Sequence, residues 1–138
     1  MTTPQTSNVI PIADRLKGGY SDACKELNRP EYTIEQFAFL PESQRAPQHS
    51  LHRIFTFIEA LNEGHIFDWN DYNEYKYYPW WDMETYGDAP KGSGFALYVV
   101  HYTYTLTAVG ARLCVRTKAH AELLAKVMFE DYKIWIKG

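Results

Sequence analysis

Residues 95–107 read FALYVVHYTYTLT and carry the strongest strand signal in the chain. β-Branched and aromatic side chains alternate through it, which is typical of a β-strand. Residues 76–83 (KYYPWWDM) predict a second strand, in which Pro79 lacks a backbone N–H and therefore belongs at a sheet edge or near a bulge. Residues 113–115 predict a third strand. Short connections favour antiparallel pairing, so the sequence predicts a small three-stranded antiparallel sheet.

Helical patterns precede and follow these strands in the sequence. From residue 47 or 50 to residue 63, five apolar residues share one helical face, and Gly64 follows as a left-handed cap: Leu51, Ile54, Phe55, Ile58 and Leu61. A terminal helix begins after Thr117 as its N-cap and places these residues on one face: Leu123, Leu124, Val127, Met128, Ile134 and Trp135. The predicted fold is α+β, with the helices packed on one face of the sheet.

The N-terminal third carries weaker signals. Residues 21–28 predict a short helix with Ser21 as its N-cap, and residues 33–36 have the spacing of a capping box. Residues 41–47 are typical of a turn. Residues 1–19 are rich in Thr, Pro and Ser and predict a flexible extended arm. The remaining residues, 20–138, predict a single α+β domain.

Composition excludes several classes of protein. The chain has 138 residues, of which 46% are hydrophobic, so it is too apolar for a disordered chain. No apolar run approaches the roughly 20 residues that cross a bilayer, and no secretory signal pattern opens the sequence. Its two cysteines, Cys24 and Cys114, form neither a disulfide framework nor a CxxC motif. These features predict a cytoplasmic protein without a membrane partner.

Charge and aromatic residues are concentrated together. The chain has a formal net charge of −3 and is 16% aromatic, with 11 Tyr, 7 Phe and 4 Trp. Residues 63–90 hold one base, Lys76, among seven acids, which we expect to be solvated or paired with that lysine: Glu63, Asp68, Asp71, Glu74, Asp82, Glu84 and Asp88. Such an acidic segment repels a phosphate backbone. Single-stranded nucleic acid is therefore a minor alternative, and it would use Tyr98, Tyr102, Arg112 and Arg116.

The aromatic segment 66–86 is the predicted binding site. Strand alternation places Tyr77, Pro79 and Trp81 on one face of the sheet, with the intervening residues on the other. One interpretation buries the first face in the core and packs the second under the preceding loop. The other makes the segment a recognition surface, because both faces of a small sheet are difficult to bury. The predicted binding residues are Trp69, Tyr72, Tyr75, Tyr78, Trp80 and Trp81.

The favoured function is a non-enzymatic module that binds a protein partner or a second copy through this aromatic and acidic surface, with no cofactor and no metal. The alternative is a small sugar- or nucleotide-binding protein or hydrolase that uses Asp68, Asp71 and Asp82 beside a pocket. A calcium site at residues 68–74 is disfavoured, because the spacing departs from an EF-hand and Asx-turns explain the same Asp and Asn residues.

Several motifs resemble a known family. Asp68-Trp69-Asn70, the run KYYPWW, the run GSGF at 92–95 and the run VGARLCV at 109–115 precede a capped amphipathic helix. Over roughly residues 50–138 this order resembles an uncharacterised family of small proteins from phages and prophage-like regions of gut Bacteroidetes, in which serine stands where this chain has Ala111. The resemblance implies a phage-related binding or assembly role, in the bacterial cytoplasm or the virion, and it implies no reaction.

Overall fold

A computed structural model describes residues 10–84 and 94–137, and within them the chain is α+β, as predicted. The helices and strands are, in chain order: α1 (Ile12–Arg15), α2 (Tyr20–Leu27), a 3₁₀ turn (Ile34–Phe37), α3 (Glu42–Asn62), β1 (Lys76–Asp82), β2 (Ala96–Thr103), a second 3₁₀ turn (Ala111–Leu113), α4 (Lys118–Val127), α5 (Phe129–Tyr132) and a π-helical turn (Lys133–Lys137).

The sheet has two strands in the described part of the chain, so the prediction of three is wrong. The backbone of Cys114 explains the loss of the third strand. Its N–H donates to the carbonyl of Ala111 (3.2 Å), and its carbonyl accepts from Nδ2 of Asn62 (2.9 Å). With both groups engaged elsewhere, the predicted strand is reduced to one antiparallel bridge, in which Tyr77 and Val115 exchange hydrogen bonds of 3.0 and 2.8 Å.

β1 and β2 pair antiparallel, with Trp80 opposite Val99 and Trp81 opposite Leu97. Tyr98 is therefore an extra residue in β2 and forms a β-bulge opposite the tryptophans. Pro79 pairs with Val100, two residues along β2 from this bulge. The prediction of a bulge near Pro79 is confirmed. A bulge also interrupts regular pairing along β2, which lies at the edge of the sheet.

α3 is longer than predicted. It begins at Glu42, so the turn predicted for residues 41–47 is wrong, and Pro47 lies within the helix. Proline there removes one backbone donor, a loss that the apolar face of the following turns outweighs. The helix ends at Asn62, and both its C-cap Glu63 (φ 51°) and the predicted cap Gly64 (φ 79°) are left-handed. The predicted apolar face is confirmed in part, since Ile54, Ile58 and Leu61 are buried while Leu51 and Phe55 are only partly buried.

The extended arm predicted for residues 1–19 is wrong from Ile12 onward. Ile12–Arg15 form α1, and the side chains of Ile12 and Leu16 are buried in the domain core. Arg15 holds this segment by hydrogen bonds to the carboxylates of Glu26 and Glu63. This part of the predicted arm is therefore a helix packed into the domain, because its apolar side chains are buried in the core of the same chain. The first nine residues lie outside the described part of the structure.

Local capping predictions have mixed outcomes. The capping box of Thr33 and Gln36 is confirmed, although it opens a 3₁₀ turn. Thr117 caps α4 by accepting from the N–H of His120 (3.0 Å), as predicted. Ser21 is not an N-cap, because α2 begins at Tyr20. The prediction of a single terminal helix is wrong in its second half. The helix breaks at Met128, and the chain continues as α5 and the π-helical turn.

The helices pack on one face of the sheet, as predicted. The core between them contains Phe57, Phe95, Val115, Leu124 and Tyr132, all at most 3% exposed. On the opposite face, called the outer face below, Trp80 and Val99, which pair across the two strands, are exposed. The sheet therefore shields its inner side and presents apolar groups on the other.

Lys76 is fully buried at the start of β1. Its Nζ donates to the carbonyl oxygens of Asp68 (2.7 Å), Glu74 (3.0 Å) and Tyr104 (2.6 Å). The carboxylate of Glu74 is 3.3 Å away, which confirms that Lys76 pairs with an acid, and the ring of Trp69 covers the ammonium group at 5.0 Å. Lys76 therefore ties the 65–75 loop to both strands.

Replacing this lysine tests its structural role. We expect Lys76→Met to lower the free energy of unfolding by about 3 kcal/mol, because three carbonyls and a carboxylate lose their cationic partner in a buried site. Urea denaturation measures the change. Lys126→Met, at an exposed position of α4, is the matched control. An unchanged midpoint in the Lys76 variant would show that the loop is held by other contacts.

Candidate functional site

The six predicted binding residues occupy four different places. Trp69 covers Lys76 in the loop before β1. Tyr72 is 71% exposed, and Tyr75 stacks on Tyr102 with ring centroids 4.8 Å apart. The other three, Tyr78, Trp80 and Trp81, line one cleft. The structure therefore brings together half of the predicted set.

Tyr75 belongs to a tyrosine cluster at one end of the sheet. Its ring contacts Tyr77, Tyr102 and Tyr104. Hydrogen bonds with Tyr75 and Tyr102 raise the pKa of Tyr104 to about 12. These mutual contacts explain the packing of the cluster without a ligand.

Trp80 and Trp81 have different surroundings although they are adjacent. Trp80 is 52% exposed on the outer face, edge-on to Tyr98 at 6.3 Å. Trp81 stacks on Phe95 at 4.7 Å and contacts Tyr132 at 5.0 Å. Trp81 is thus a core residue with part of its ring at the cleft, while Trp80 is free to meet a partner.

The cleft that these residues line has a volume of about 330 Å³ and is called the apolar cleft. It lies along β1, which contributes residues 78–81. Tyr77 exchanges both hydrogen bonds with Val115, so by strand alternation the backbone of Pro79 faces the same edge. Proline has no N–H to leave unpaired there. The apolar cleft therefore begins where the incomplete third strand stops.

The opposite wall comes from segments that sequence reasoning missed. Ala108, Val109 and Leu113 lie on the connection after β2, and Tyr132, Trp135 and Ile136 come from the chain's end. Trp135 was predicted to lie on the core face of a regular helix. Trp135 does pack against the core, but the break at Met128 and the π-helical turn also place it at the cleft, and no simple periodicity in the sequence signals this break.

Two polar atoms at the wall of the apolar cleft have no hydrogen-bond partner among the described residues: Nε1 of Trp81 and the hydroxyl of Tyr132. Both atoms are buried, and burial raises the pKa of Tyr132 far above its ordinary value. An unpaired buried donor is costly, by about 1–3 kcal/mol. A group that carried an acceptor and displaced a wall side chain would recover this loss.

A second, larger cleft of about 730 Å³ lies between α3 and residues 64–69 and is called the mixed cleft. Aromatic rings of Phe55, Phe67 and Trp69 form part of its wall. Arg29, Glu59 and Arg112 supply charge. The 3₁₀ turn Ala111–Leu113 contributes to both clefts, since its first two residues line the mixed cleft and Leu113 lines the apolar cleft.

The carboxylates proposed for an enzyme are engaged in loop structure. Oδ1 of Asp68 accepts from the N–H of Asn70 (2.9 Å), and Oδ1 of Asp71 accepts from the N–H of Asn73 (2.8 Å). These are the Asx-turns expected from the sequence. Within the described residues no group of three or more His, Cys, Asp or Glu side chains is placed to hold a metal ion. No helix there has the length and apolarity to cross a membrane.

Glu74 has a distinct role in the same loop. Its carboxylate accepts from the N–H of Asp68 (2.7 Å) and lies 2.7 Å from Nε2 of His65. Burial raises its pKa, but the hydrogen bonds from Asp68, His65 and Lys76 outweigh burial and hold the pKa below its ordinary value of 4.5. The ionised form therefore stabilises the fold.

This shift predicts an acid-sensitive contribution. Because the pKa of Glu74 is lowered on folding, its stabilisation is complete above pH 4.5 and is lost as the pH falls through the folded-state value. We expect Glu74→Gln to lower the free energy of unfolding at pH 7 by about 2 kcal/mol and to weaken its fall at acid pH. Urea titrations at pH 3, 5 and 7 test this. Parallel pH profiles for the two proteins would contradict it.

The two tryptophans give a direct test of the site geometry. We expect Trp81→Ala to lower the free energy of unfolding by about 3 kcal/mol, because it empties a stacked core position. Trp80→Ala should change it by less than about 1 kcal/mol, since half of that side chain is already in solvent. Urea denaturation compares them. Equal destabilisation by both substitutions would show that the outer face is packed against something.

Comparison of the chain with protein-family models, curated proteins and solved structures finds no match.

Proposed function

We propose that the protein is a binding module that accepts a large apolar side chain of a protein partner in the apolar cleft. The observation that carries the proposal is that Tyr78, Trp80 and Trp81, three of the predicted binding residues, line one cleft with two unpaired buried donors at its wall. Apolar clefts with a few placed polar groups are typical ligand sites.

The size of the apolar cleft limits the kind of chemical group that can occupy it. A volume of about 330 Å³ is at the lower end of ligand sites, and it suits one aromatic or branched side chain rather than a whole cofactor. A side chain on a peptide also brings backbone carbonyls, which are acceptors for Nε1 of Trp81 and the hydroxyl of Tyr132. Because those two atoms are buried, we expect Trp135 or Ile136 to move aside on binding.

The outer face supports a protein partner. Trp80 lines the apolar cleft and is exposed together with Tyr98, which it contacts, and Val99, with which it pairs, and Trp residues frequently dominate interface energies. Exposed apolar groups of this kind surround a docking point and exclude water from it. No chemical step is needed for this function. The phage-related setting, and residence in a bacterial cytoplasm or a virion, remain predictions from the resemblance.

Selection from a random 12-residue peptide library tests the proposal. We expect the enriched peptides to share one aromatic or large aliphatic residue, because one such side chain fills the apolar cleft. Val109→Trp should occupy the cleft and weaken the best synthetic peptide at least tenfold, measured by fluorescence anisotropy. Leu106→Trp, at a residue 80% exposed and outside the cleft lining, is the matched control and should bind normally.

The outcomes separate cleanly. Circular dichroism melting first establishes that both variants are folded. Peptides that bind Val109→Trp as tightly as the unmodified protein would place the binding surface elsewhere. Failure to enrich any apolar peptide would contradict the proposed function. Peptide binding also predicts a shift of the Trp81 indole N–H resonance, assigned with Trp81→Phe, while the Trp69 resonance stays in place.

A further inference from the structure

We propose that the mixed cleft binds a small anion that carries an aromatic ring, of the chemical class of an aromatic phosphate such as a nucleoside monophosphate. The proposal goes beyond the apolar cleft and uses a different set of residues. It rests on the juxtaposition of aromatic walls, a guanidinium without an ion pair and a buried acceptor without a donor.

The mixed cleft is built on one face of α3, which α2 contacts only at its His52 end. His52, Phe55, Glu59 and Asn62 recur every three or four residues and so share this face. The segment after Gly64 folds back over it. The space of about 730 Å³ between the helix and this segment leaves room for a ligand.

Aromatic rings on the returning segment provide a stacking surface. Phe67 lies edge-on to His65 at 5.0 Å and contacts Trp69 at 6.4 Å, and across the cleft Phe55 is half-buried. Planar ligands stack on such rings, and base–aromatic stacking contributes about 1–3 kcal/mol per base. The walls therefore fit a planar ring better than a sugar.

The charges favour an anion. Arg29 makes hydrogen bonds of 2.8 and 2.5 Å with the two carboxylate oxygens of Glu59, so these two charges are already matched. The pair lowers the pKa of Glu59, and the nearby charge of Arg112 lowers it further. Arg112 itself makes no hydrogen bond or ion pair among the described residues. Within the cleft lining this leaves one exposed guanidinium without a hydrogen-bonded carboxylate, in a protein whose overall charge is −3.

His52 adds no positive charge to this balance. Burial lowers its pKa, and the neighbouring charges of His49, Arg53 and Arg29 act in the same direction. Its Nε2 is 2.8 Å from the hydroxyl of Tyr20, so it is held within the core network. Arg112 is therefore the group to which a phosphate would bind, and guanidinium groups match phosphate oxygens in a two-point geometry.

Asn62 supplies the second independent observation. It is 8% exposed, and its Nδ2 is engaged by the carbonyl of Cys114. Its Oδ1 is buried at the wall of the mixed cleft without a hydrogen-bond donor among the described residues. A ring N–H or an exocyclic amino group of a ligand would supply the missing donor once the lining moves to expose this oxygen.

Nuclear magnetic resonance titration with adenosine 5′-monophosphate and with phenyl phosphate tests the inference. We expect at least one of these two probes to shift the indole N–H of Trp69 and the Nε–H of Arg112. Inorganic phosphate and adenosine should bind more weakly, because each lacks one half of the ligand. If neither aromatic phosphate shifts Trp69 or Arg112, the inference is overturned.

Arg112→Gln gives the decisive comparison. We expect it to weaken binding of the aromatic phosphate at least tenfold while leaving adenosine binding unchanged, since only the anionic group loses its partner. Lys118→Gln removes the same charge from an exposed residue outside the cleft lining and should bind like the unmodified protein. If both substitutions weakened binding of the aromatic phosphate equally, the loss would come from the overall charge of the protein, and this would contradict a site at Arg112.

The result is separable from the proposed function. Val109→Trp alters the apolar cleft alone, so it should retain the aromatic phosphate, and Arg112→Gln should retain the selected peptide. If the peptide is lost and the phosphate retained in Val109→Trp, both sites exist independently.

Discussion

The ammonium group of Lys76 is the interaction on which the arrangement of both clefts depends. It is buried and held by three carbonyls, one from the start of the 65–75 loop, one from its end and one from the residue that follows β2. A buried cation is costly unless it is paired and hydrogen-bonded. Full coordination therefore fixes one position for the loop relative to β1 and β2. The loop in turn carries Trp69 to the mixed cleft, and β1 carries Tyr78 and Trp81 to the apolar cleft.

The missing third strand of the sheet is the second feature that determines where the apolar cleft lies. The backbone of Cys114 bonds to Ala111 and Asn62, so only Val115 pairs with β1. A third strand that continued along residues 78–81 would have filled the space now lined by Leu113 and Val109. The local preference of Gly110, with φ 82°, for a turn therefore produces a cleft where an ideal meander would have none.

Regular periodicity predicted the parts of the fold in which local and tertiary preferences agree. The strands at 76–82 and 96–103 and the buried face of α3 follow from alternation and helical spacing. The failures occur where a long-range contact overrides the local pattern. Residues 113–115 have the composition of a strand, but the side chain of Asn62, 52 residues away, donates a hydrogen bond to the carbonyl of Cys114. Half of the predicted binding set meets at one cleft, and its far wall depends on a break at Met128 that has no local signal.

The turn Ala111–Leu113 gives the two clefts a common wall. Arg112 lines the mixed cleft and Leu113 the apolar cleft, while the hydrogen bond from Leu113 to Gly110 (3.2 Å) and that from Cys114 to Ala111 keep the turn closed. The same two hydrogen bonds therefore position one wall of each cleft. Val109 precedes this turn and lines the apolar cleft alone, and Arg112 lines the mixed cleft alone, so each cleft has a lining residue that the other does not share.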